Sequence, residues 1–402
     1  MTHPSPHILR DAPWATPARL KAYVRLFALI SLAMIVYWVA SADGLVDQNG
    51  TVLGSDYLAL HAAGELAFRG EALLAYDGAA HYALQQKIAG TGALDYAGFY
   101  YPPHYLLILA PLGALPYLPA FFVWMAASFG AAFAIVRTIV PRRETLLFAI
   151  GFPGTLINFA HGQNGFLSTA LFGGALVLLD KRPVLSGVLF GLMTYKPHLG
   201  VLVPLVLLVT GRWTVILSAA ITTAALLAAT TLIFGTGIWP AMAAMSAFAQ
   251  NEVLGTGHIG WHQIHSVYAM ARNWGAGETP AYMLHAAIAL PIAGLTIRAW
   301  SQQGAFEIKA ALLVTAALLM TPYGFSYDLT LLGLPIAFLI AHGLKSGFAP
   351  YQKSLLALSF VLPVLSEPLA ANTGFHIVPF ALIGLFAHTL TQLRARTQPA
   401  YE

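Results

Sequence analysis

Apolar residues recur along the whole chain in runs that short polar connections separate. A bilayer crossing takes about 20 apolar residues, and shorter or broken helices are allowed where proline and glycine interrupt. On this basis the pattern predicts twelve spans, within a range of 11 to 13. They cover 25–40, 104–136, 145–160, 165–179, 184–195, 199–210, 214–235, 281–298, 310–321, 329–343, 354–366 and 375–391. The stretch 104–136 contains prolines and is compatible with one helix or two. The predicted fold class is therefore an all-α, polytopic integral membrane protein.

Composition agrees with this class, because 58% of the residues are hydrophobic and only 9% are charged. A soluble fold could not cover so much apolar surface. The net charge of +4 would suggest a nucleic-acid partner for a soluble protein. Here the basic residues lie in connections between spans, where they set orientation instead, so nucleic acid is excluded as a partner. Cysteine is absent, which excludes a thiolate metal site and a thiol nucleophile.

The basic residues also predict the orientation of the chain. The threading places 16 of the 20 Lys and Arg residues on one side, which identifies that side as cytoplasmic. A multi-pass protein of the inner (plasma) membrane is expected, with a cytoplasmic segment 1–24, a single transmembrane domain 25–392 and a cytoplasmic tail 393–402. Ala40-Ser41-Ala42 imitates a signal-peptidase site. We interpret the preceding apolar stretch as the first transmembrane helix, since Tyr37 and Trp38 resemble an interfacial anchor.

Two non-cytoplasmic connections are long, at 41–103 and 236–280. The first carries seven acidic residues against two basic ones and contains two predicted helical stretches, 56–68 and 72–89. In the second stretch five apolar residues share one helical face, which predicts a helix lying on the membrane surface; they are Leu73, Tyr76, Ala80, Leu84 and Ile88. The other connection is rich in Gly, His and Trp.

Candidate chemistry concentrates on the predicted outer side. Ser55 is a good N-cap and Asp56 a good first-turn residue, so Asp56 has a structural reading. The functional alternative is a base that takes a proton from an acceptor hydroxyl. Tyr101, before two prolines, is either an interfacial anchor or part of a substrate site. His104, at the entry to the next span, has no comparable structural explanation.

Two further polar turns join predicted spans on the same side. Their side chains are ordinary in turns or at helix caps, and they also offer the donors and acceptors that a sugar or phosphate site requires. These candidates are His161, Gln163 and Asn164 in the first turn and Tyr323, Tyr327 and Asp328 in the second.

Lys196 lies between two short spans with no acidic residue near it in the sequence. A cation at membrane depth is unfavourable unless an anion meets it. Lys196 is therefore either a loop residue that extends to water or a ligand for a substrate phosphate, supported by His198. Three further histidines lie close together, His258, His262 and His265. Without a carboxylate among them, hydrogen bonding to substrate is favoured over a zinc site, and no metal or cofactor is expected.

The order of these motifs resembles glycosyltransferase family 87. The resemblance lies in an early Asp56, YPP at 101–103, GQN at 162–164, KPH at 196–198 and a Ser-x5-Arg pattern at 266–272. It implies a GT-C fold, Asp56 as the catalytic base and a polyprenyl-phosphate sugar as donor, as in actinobacterial α-mannosyltransferases and arabinofuranosyltransferases. His262 stands where the family pattern has Asn, so the sugar is left open between mannose and another hexose or pentose.

The resemblance implies an inverting transfer to a lipid or glycan acceptor of the cell envelope, at the periplasmic or extracellular face. A phosphate is a good leaving group, so the protein needs to hold it and to deprotonate the acceptor. A transporter or lipid-linked-sugar flippase is the alternative. Its site would lie near the bilayer midplane, between sequence repeats. Polar motifs gathered on one side favour the transferase.

Overall fold

The computed structural model describes residues 7–48, 50–92, 94–257 and 260–395. Within these ranges the regular structure is helical, and β-pairing is limited to isolated bridges. The α-helices are α1 (Pro17–Ala40), α2 (Ser55–Phe68), α3 (Gly78–Ala89), α4 (Leu106–Gly113), α5 (Tyr117–Ile139), α6 (Thr145–Gly151), α7 (Pro153–His161), α8 (Gly165–Leu178), α9 (Pro183–Leu192), α10 (Leu202–Val209), α11 (Trp213–Phe234), α12 (Ile238–Ala249), α13 (Val267–Asn273), α14 (Glu278–Ser301), α15 (Phe306–Met320), α16 (Gly333–Ser346), α17 (Gln352–Thr373) and α18 (Ile377–Ala395).

Six helical stretches of the described chain are long and apolar enough to cross a membrane. They are Pro17–Ala40, Tyr117–Ile139, Trp213–Phe234, Glu278–Ser301, Ser326–Ser346 and Gln352–Thr373. The predicted stretch 104–136 is two helices, α4 and α5, because Pro116 ends the first and precedes the second. The stretch 145–160 is likewise divided, at Pro153. An all-α membrane protein is therefore observed, and the count of twelve spans stays a prediction.

The two ends of the helices differ in character. Segments predicted to be cytoplasmic contact one another: Lys21 lies 3.4 Å from Glu144, and the backbone N–H of Tyr351 donates to the carbonyl of Arg10 at 2.8 Å. Two segments predicted to be non-cytoplasmic also contact each other, since Nε1–H of Trp274 donates to the carbonyl of Gly374 at 2.8 Å. This arrangement agrees with the predicted division of the chain between two sides of a membrane.

The first long connection is folded onto the helices. Gly64 of α2 packs so tightly on α4 that a Cβ there would lie 2.4 Å from the carbonyl oxygen of Leu109. Asp77 interrupts the predicted stretch 72–89 and caps α3 with its side chain. The predicted apolar face is only partly buried, since Leu73 is exposed while Tyr76 and Leu84 are buried. His81, which is outside that face, is also buried, and its Nε2 is satisfied by the carbonyl of Ala59 at 3.0 Å.

The predicted orientation can be tested directly, because the chain contains no cysteine and single cysteines give no background. We expect Ala79→Cys and Asn372→Cys, both at exposed positions, to react with a membrane-impermeant maleimide on intact cells. Arg143→Cys and Gln302→Cys should react only after permeabilisation. Labelling of Gln302→Cys on intact cells, with Asn372→Cys protected, would show that the orientation is the reverse of the predicted one.

Candidate active site

A cavity of about 440 Å³ lies where the two long connections meet the helix ends. Its walls come from the start of α2, the α7–α8 turn, the break between α9 and α10, the segment between α15 and α16, and α17, while α12 adds an apolar side. Nine of the predicted site residues line it: Asp56, Tyr101, His161, Gln163, Lys196, His198, Tyr323, Tyr327 and Asp328. The motifs that are far apart in sequence are therefore brought together at one cavity.

Asp56 reaches the cavity from the first turn of α2. The N-cap of this helix is Gly54, with φ of +70°, so the prediction that Ser55 is the cap is wrong. Only glycine fits there without strain, because a Cβ would also lie 2.6 Å from the ring of Phe121. The hydroxyl of Tyr117 lies 2.6 and 2.9 Å from the carbonyls of Leu53 and Gly54 and fixes this turn. Asp56 is thus held in place without its carboxylate acting as a cap.

His161 is an ionisable neighbour of Asp56. Its Nδ1 lies 3.6 Å from Oδ2 of Asp56, an ion-pair distance rather than a hydrogen bond. Burial opposes the charged form of His161, but the adjacent Asp56 and the charge of Glu367 outweigh it and raise the His161 pKa. The attraction between protonated His161 and Asp56 contributes fully to the stability of the fold below about pH 6.5. This contribution is lost as the pH rises through the raised pKa of His161.

Lys196 has an anionic partner inside the protein. Its Nζ lies 2.5 Å from Oδ1 of Asp328, 132 residues away, and both side chains are buried. Nζ also lies 4.7 Å from the centre of the Tyr327 ring. Lys196 therefore does not extend to bulk water. Its anionic partner is distant in the sequence, so the lack of a neighbouring acidic residue did not indicate that Lys196 is unpaired. The other oxygen of Asp328 accepts from the N–H of Phe325 at 3.3 Å, so Asp328 also caps its own turn.

The YPP and GQN motifs meet at the α7–α8 turn. The Tyr101 hydroxyl donates to Oε1 of Gln163 at 3.1 Å. Asn164 is fully buried and does not line the cavity. His104 is also outside the lining, where its Nε2 lies 3.3 Å from the hydroxyl of Thr194. By contrast His198 lines the cavity, and its buried Nε2 has no hydrogen-bond partner among the described residues.

The histidines of the second long connection differ in position. His258 lies outside the described residues, and His262 is half-buried away from the cavity. His265 is buried behind Ser326 of the cavity wall, with its Nε2 3.0 Å from Oγ of Ser326. Burial lowers the pKa of His265 to about 3. Ser266 caps α13, and Arg272 donates to the carbonyl of Gly255 at 2.7 Å. Among the described residues no group of three His, Asp or Glu side chains could hold a metal ion.

Glu367 is a cavity residue that the sequence reasoning missed. The predicted span ended at residue 366 and left Glu367 in an outer connection, whereas α17 continues to Thr373. The available signal was a single acidic residue at the outer end of an apolar run, followed directly by Pro368. An acidic residue in such a run is a functional-site hypothesis in its own right.

The comparison with known families agrees with the geometry. The profile of Glycosyltransferase family 87 matches residues 99–322, more than half of the chain. The chain belongs to glycosyltransferase family 87. No curated protein and no solved structure matches this transferase. Family membership makes it a membrane glycosyltransferase and favours sugar transfer over the transporter alternative.

The matched range of the transferase covers only part of the cavity. It contains Tyr101, Gln163 and Lys196, whereas Asp56 and Asp328 lie outside it. The profile match therefore does not bear on the roles of these two carboxylates.

Proposed function

We propose that this protein transfers a sugar, with inversion, from a polyprenyl-phosphate donor to a lipid or glycan acceptor at the non-cytoplasmic face of the plasma membrane. The observation that carries the proposal is the shared cavity, in which Asp56 and the Lys196–Asp328 pair line the same 440 Å³ space. A carboxylate and a buried cation are the two groups that this reaction needs. No metal or other cofactor enters the proposed step.

In the proposed step the oxygen of the acceptor hydroxyl attacks the anomeric carbon of the donor. The bond from that carbon to the phosphate oxygen breaks, and its electron pair leaves with the phosphate. The hydroxyl proton passes to the Asp56 carboxylate. A single displacement of this kind inverts the anomeric centre.

Donor phosphate binding is assigned to Lys196, His198 and His161. The ammonium of Lys196 has three N–H donors, so it can hold Asp328 and still donate to a phosphate. His198 offers an unpartnered buried nitrogen at the same cavity. His161, with its raised pKa, supplies a second positive charge when protonated. That charge matters because Asp328 already compensates Lys196.

The proposal includes an arrangement of the chain. Residues 25–392 form one catalytic domain, both termini face the cytoplasm, and the cavity opens at the periplasmic or extracellular side. The lipid tail of the donor lies between helices, beside a cavity at the membrane boundary.

Two measurements test this function. Mass spectrometry of lipids that co-purify with the protein should detect a polyprenyl-phosphate hexose or pentose. The purified protein, given radiolabelled polyprenyl-phosphate mannose or arabinofuranose and a membrane lipid extract, should then form a new glycolipid with an inverted linkage by NMR. Transfer from a nucleotide sugar instead, with none from either lipid donor, would refute the proposal.

A further inference from the structure

Glu367 is a third carboxylate of the cavity wall, and the proposed step does not use it. Its Oε2 accepts a hydrogen bond from the hydroxyl of Ser326 at 3.1 Å. The same Ser326 oxygen lies 3.0 Å from Nε2 of His265, which is buried behind it. Three residues from three different parts of the chain therefore form a short hydrogen-bonded row that ends at the cavity.

The direction of the protons in this row follows from its chemistry. A serine hydroxyl has one proton, and a carboxylate oxygen accepts, so Ser326 donates to Glu367. His265 must then donate its Nε2–H to Ser326. Burial keeps His265 neutral, so it carries one N–H, and donation to Ser326 places that proton on Nε2. The row orients one oxygen of Glu367, and the other has no partner among the described residues.

The surroundings of Glu367 indicate which ligand it can take. The cavity holds the carboxylates of Asp56, Asp328 and Glu367 against the ammonium of Lys196 and, when it is protonated, the imidazolium of His161, so an anion beside Glu367 is disfavoured. A carboxylate oxygen suits neutral hydroxyl donors. Tyr323, Phe325 and Tyr327 line the same cavity and supply flat apolar surface. A carboxylate oxygen can accept hydrogen bonds from sugar hydroxyls, and aromatic rings can pack against the sugar ring, so this part of the cavity suits a sugar.

Position favours the sugar of the donor over that of the acceptor. Ser326, which orients Glu367, is two residues from Asp328, which holds Lys196. The donor sugar is bonded to its phosphate, so it lies beside the group that holds the phosphate. Asp56, assigned to the acceptor hydroxyl, enters from a different element, α2.

We infer that Glu367, oriented by the His265–Ser326 row, is a specificity-determining residue that accepts hydrogen bonds from hydroxyl groups of the donor sugar. The inference rests on the proposed function and adds to it the residue that distinguishes one donor sugar from another. Glu367→Gln removes the charge but keeps the volume. Ser326→Ala keeps the charge and removes the orienting donor.

The test compares three probes on the purified full-length protein: polyprenyl-phosphate mannose, polyprenyl-phosphate arabinofuranose and sugar-free polyprenyl phosphate. The parent should bind one sugar-bearing probe more tightly than the sugar-free probe. In Glu367→Gln that preference should fall about 10-fold or more, because a charge-assisted hydrogen bond is lost. Binding of the sugar-free probe should change less than about 2-fold. Ser326→Ala should lower the preference to a smaller extent.

Glu71→Gln, an exposed substitution outside the cavity, is the matched control and should leave the preference unchanged. An unchanged preference in both Glu367→Gln and Ser326→Ala, or a parent without any preference, would overturn the inference while leaving phosphate binding intact. A parent that binds none of the three probes would overturn the proposed function, and this inference with it. If Glu367→Gln does not fold, Ser326→Ala and Glu367→Asp carry the same comparison.

Discussion

Asp56→Asn should remain folded and still bind the lipid donor, yet lose at least about 100-fold of its transfer rate, since an amide is not a useful base. The structural effect should be small because Gly54, and not Asp56, occupies the N-cap of α2, and because the Asp56–His161 pair is partly exposed and 3.6 Å apart. Loss of the charge from the first turn of a helix changes stability by about 0.3–1 kcal/mol. Single-turnover transfer and donor affinity, measured on the same preparation, separate the two effects.

Asp77→Asn is the matched control, because Asp77 also lies at a helix start in the first long connection. Its Oδ1 accepts from the N–H of Ala80 at 2.9 Å, and its side chain is outside the cavity lining. This variant should transfer sugar at close to the parent rate. If Asp56→Asn did so too, the base would have to be another cavity group, and His161 would be the next to test.

Replacing Lys196 should affect both stability and transfer. Lys196→Met leaves Asp328 buried without its partner, and breaking a buried ion pair lowers the free energy of unfolding by about 3–5 kcal/mol. The double variant Lys196→Met with Asp328→Asn removes both charges and should recover most of that stability. A lost phosphate contact should still slow transfer by about 30-fold to 1000-fold, or about 2–4 kcal/mol.

The comparison of single and double variants distinguishes two roles for Lys196. Thermal unfolding in detergent reports the ion pair, and transfer from the lipid donor reports the phosphate contact. A double variant that is both stable and fully active would assign Lys196 to structure alone. A stable but inactive one would leave the cation as a functional group.

The convergence of the site could be predicted from the sequence because its motifs share one predicted side of the membrane. Tyr101, Gln163 and Lys196 each lie at the outer end of a predicted span, and the ends of neighbouring helices meet. Family membership is confirmed by the profile match. Helix breaks were visible where proline marks them, as at Pro116.

Partnerships across the chain could not be predicted. The Lys196–Asp328 pair joins residues 132 positions apart, and periodicity carries no information about such contacts. Glu367 was missed for a related reason, since its significance comes from Ser326 on another element. The burial of His81 could not be predicted from the sequence either, because it depends on a hydrogen-bond partner in another helix, the carbonyl of Ala59 in α2.

The interruption between α9 and α10, where Lys196 lies between two short 3-10 turns, has an energetic consequence for a lipid-borne donor. Drawing a hydrocarbon tail out of a bilayer is unfavourable by about 0.8 kcal/mol per CH₂, so ten such groups would oppose binding by about 8 kcal/mol. That penalty would weaken affinity by about a million-fold. With the proposed polyprenyl-phosphate donor, a cation recessed at a helix break would let the phosphate turn inward while the tail stays among the lipids. Such an enzyme would meet its donor by lateral diffusion in two dimensions. The free-energy cost of extracting the lipid tail would then not lower its affinity for the donor.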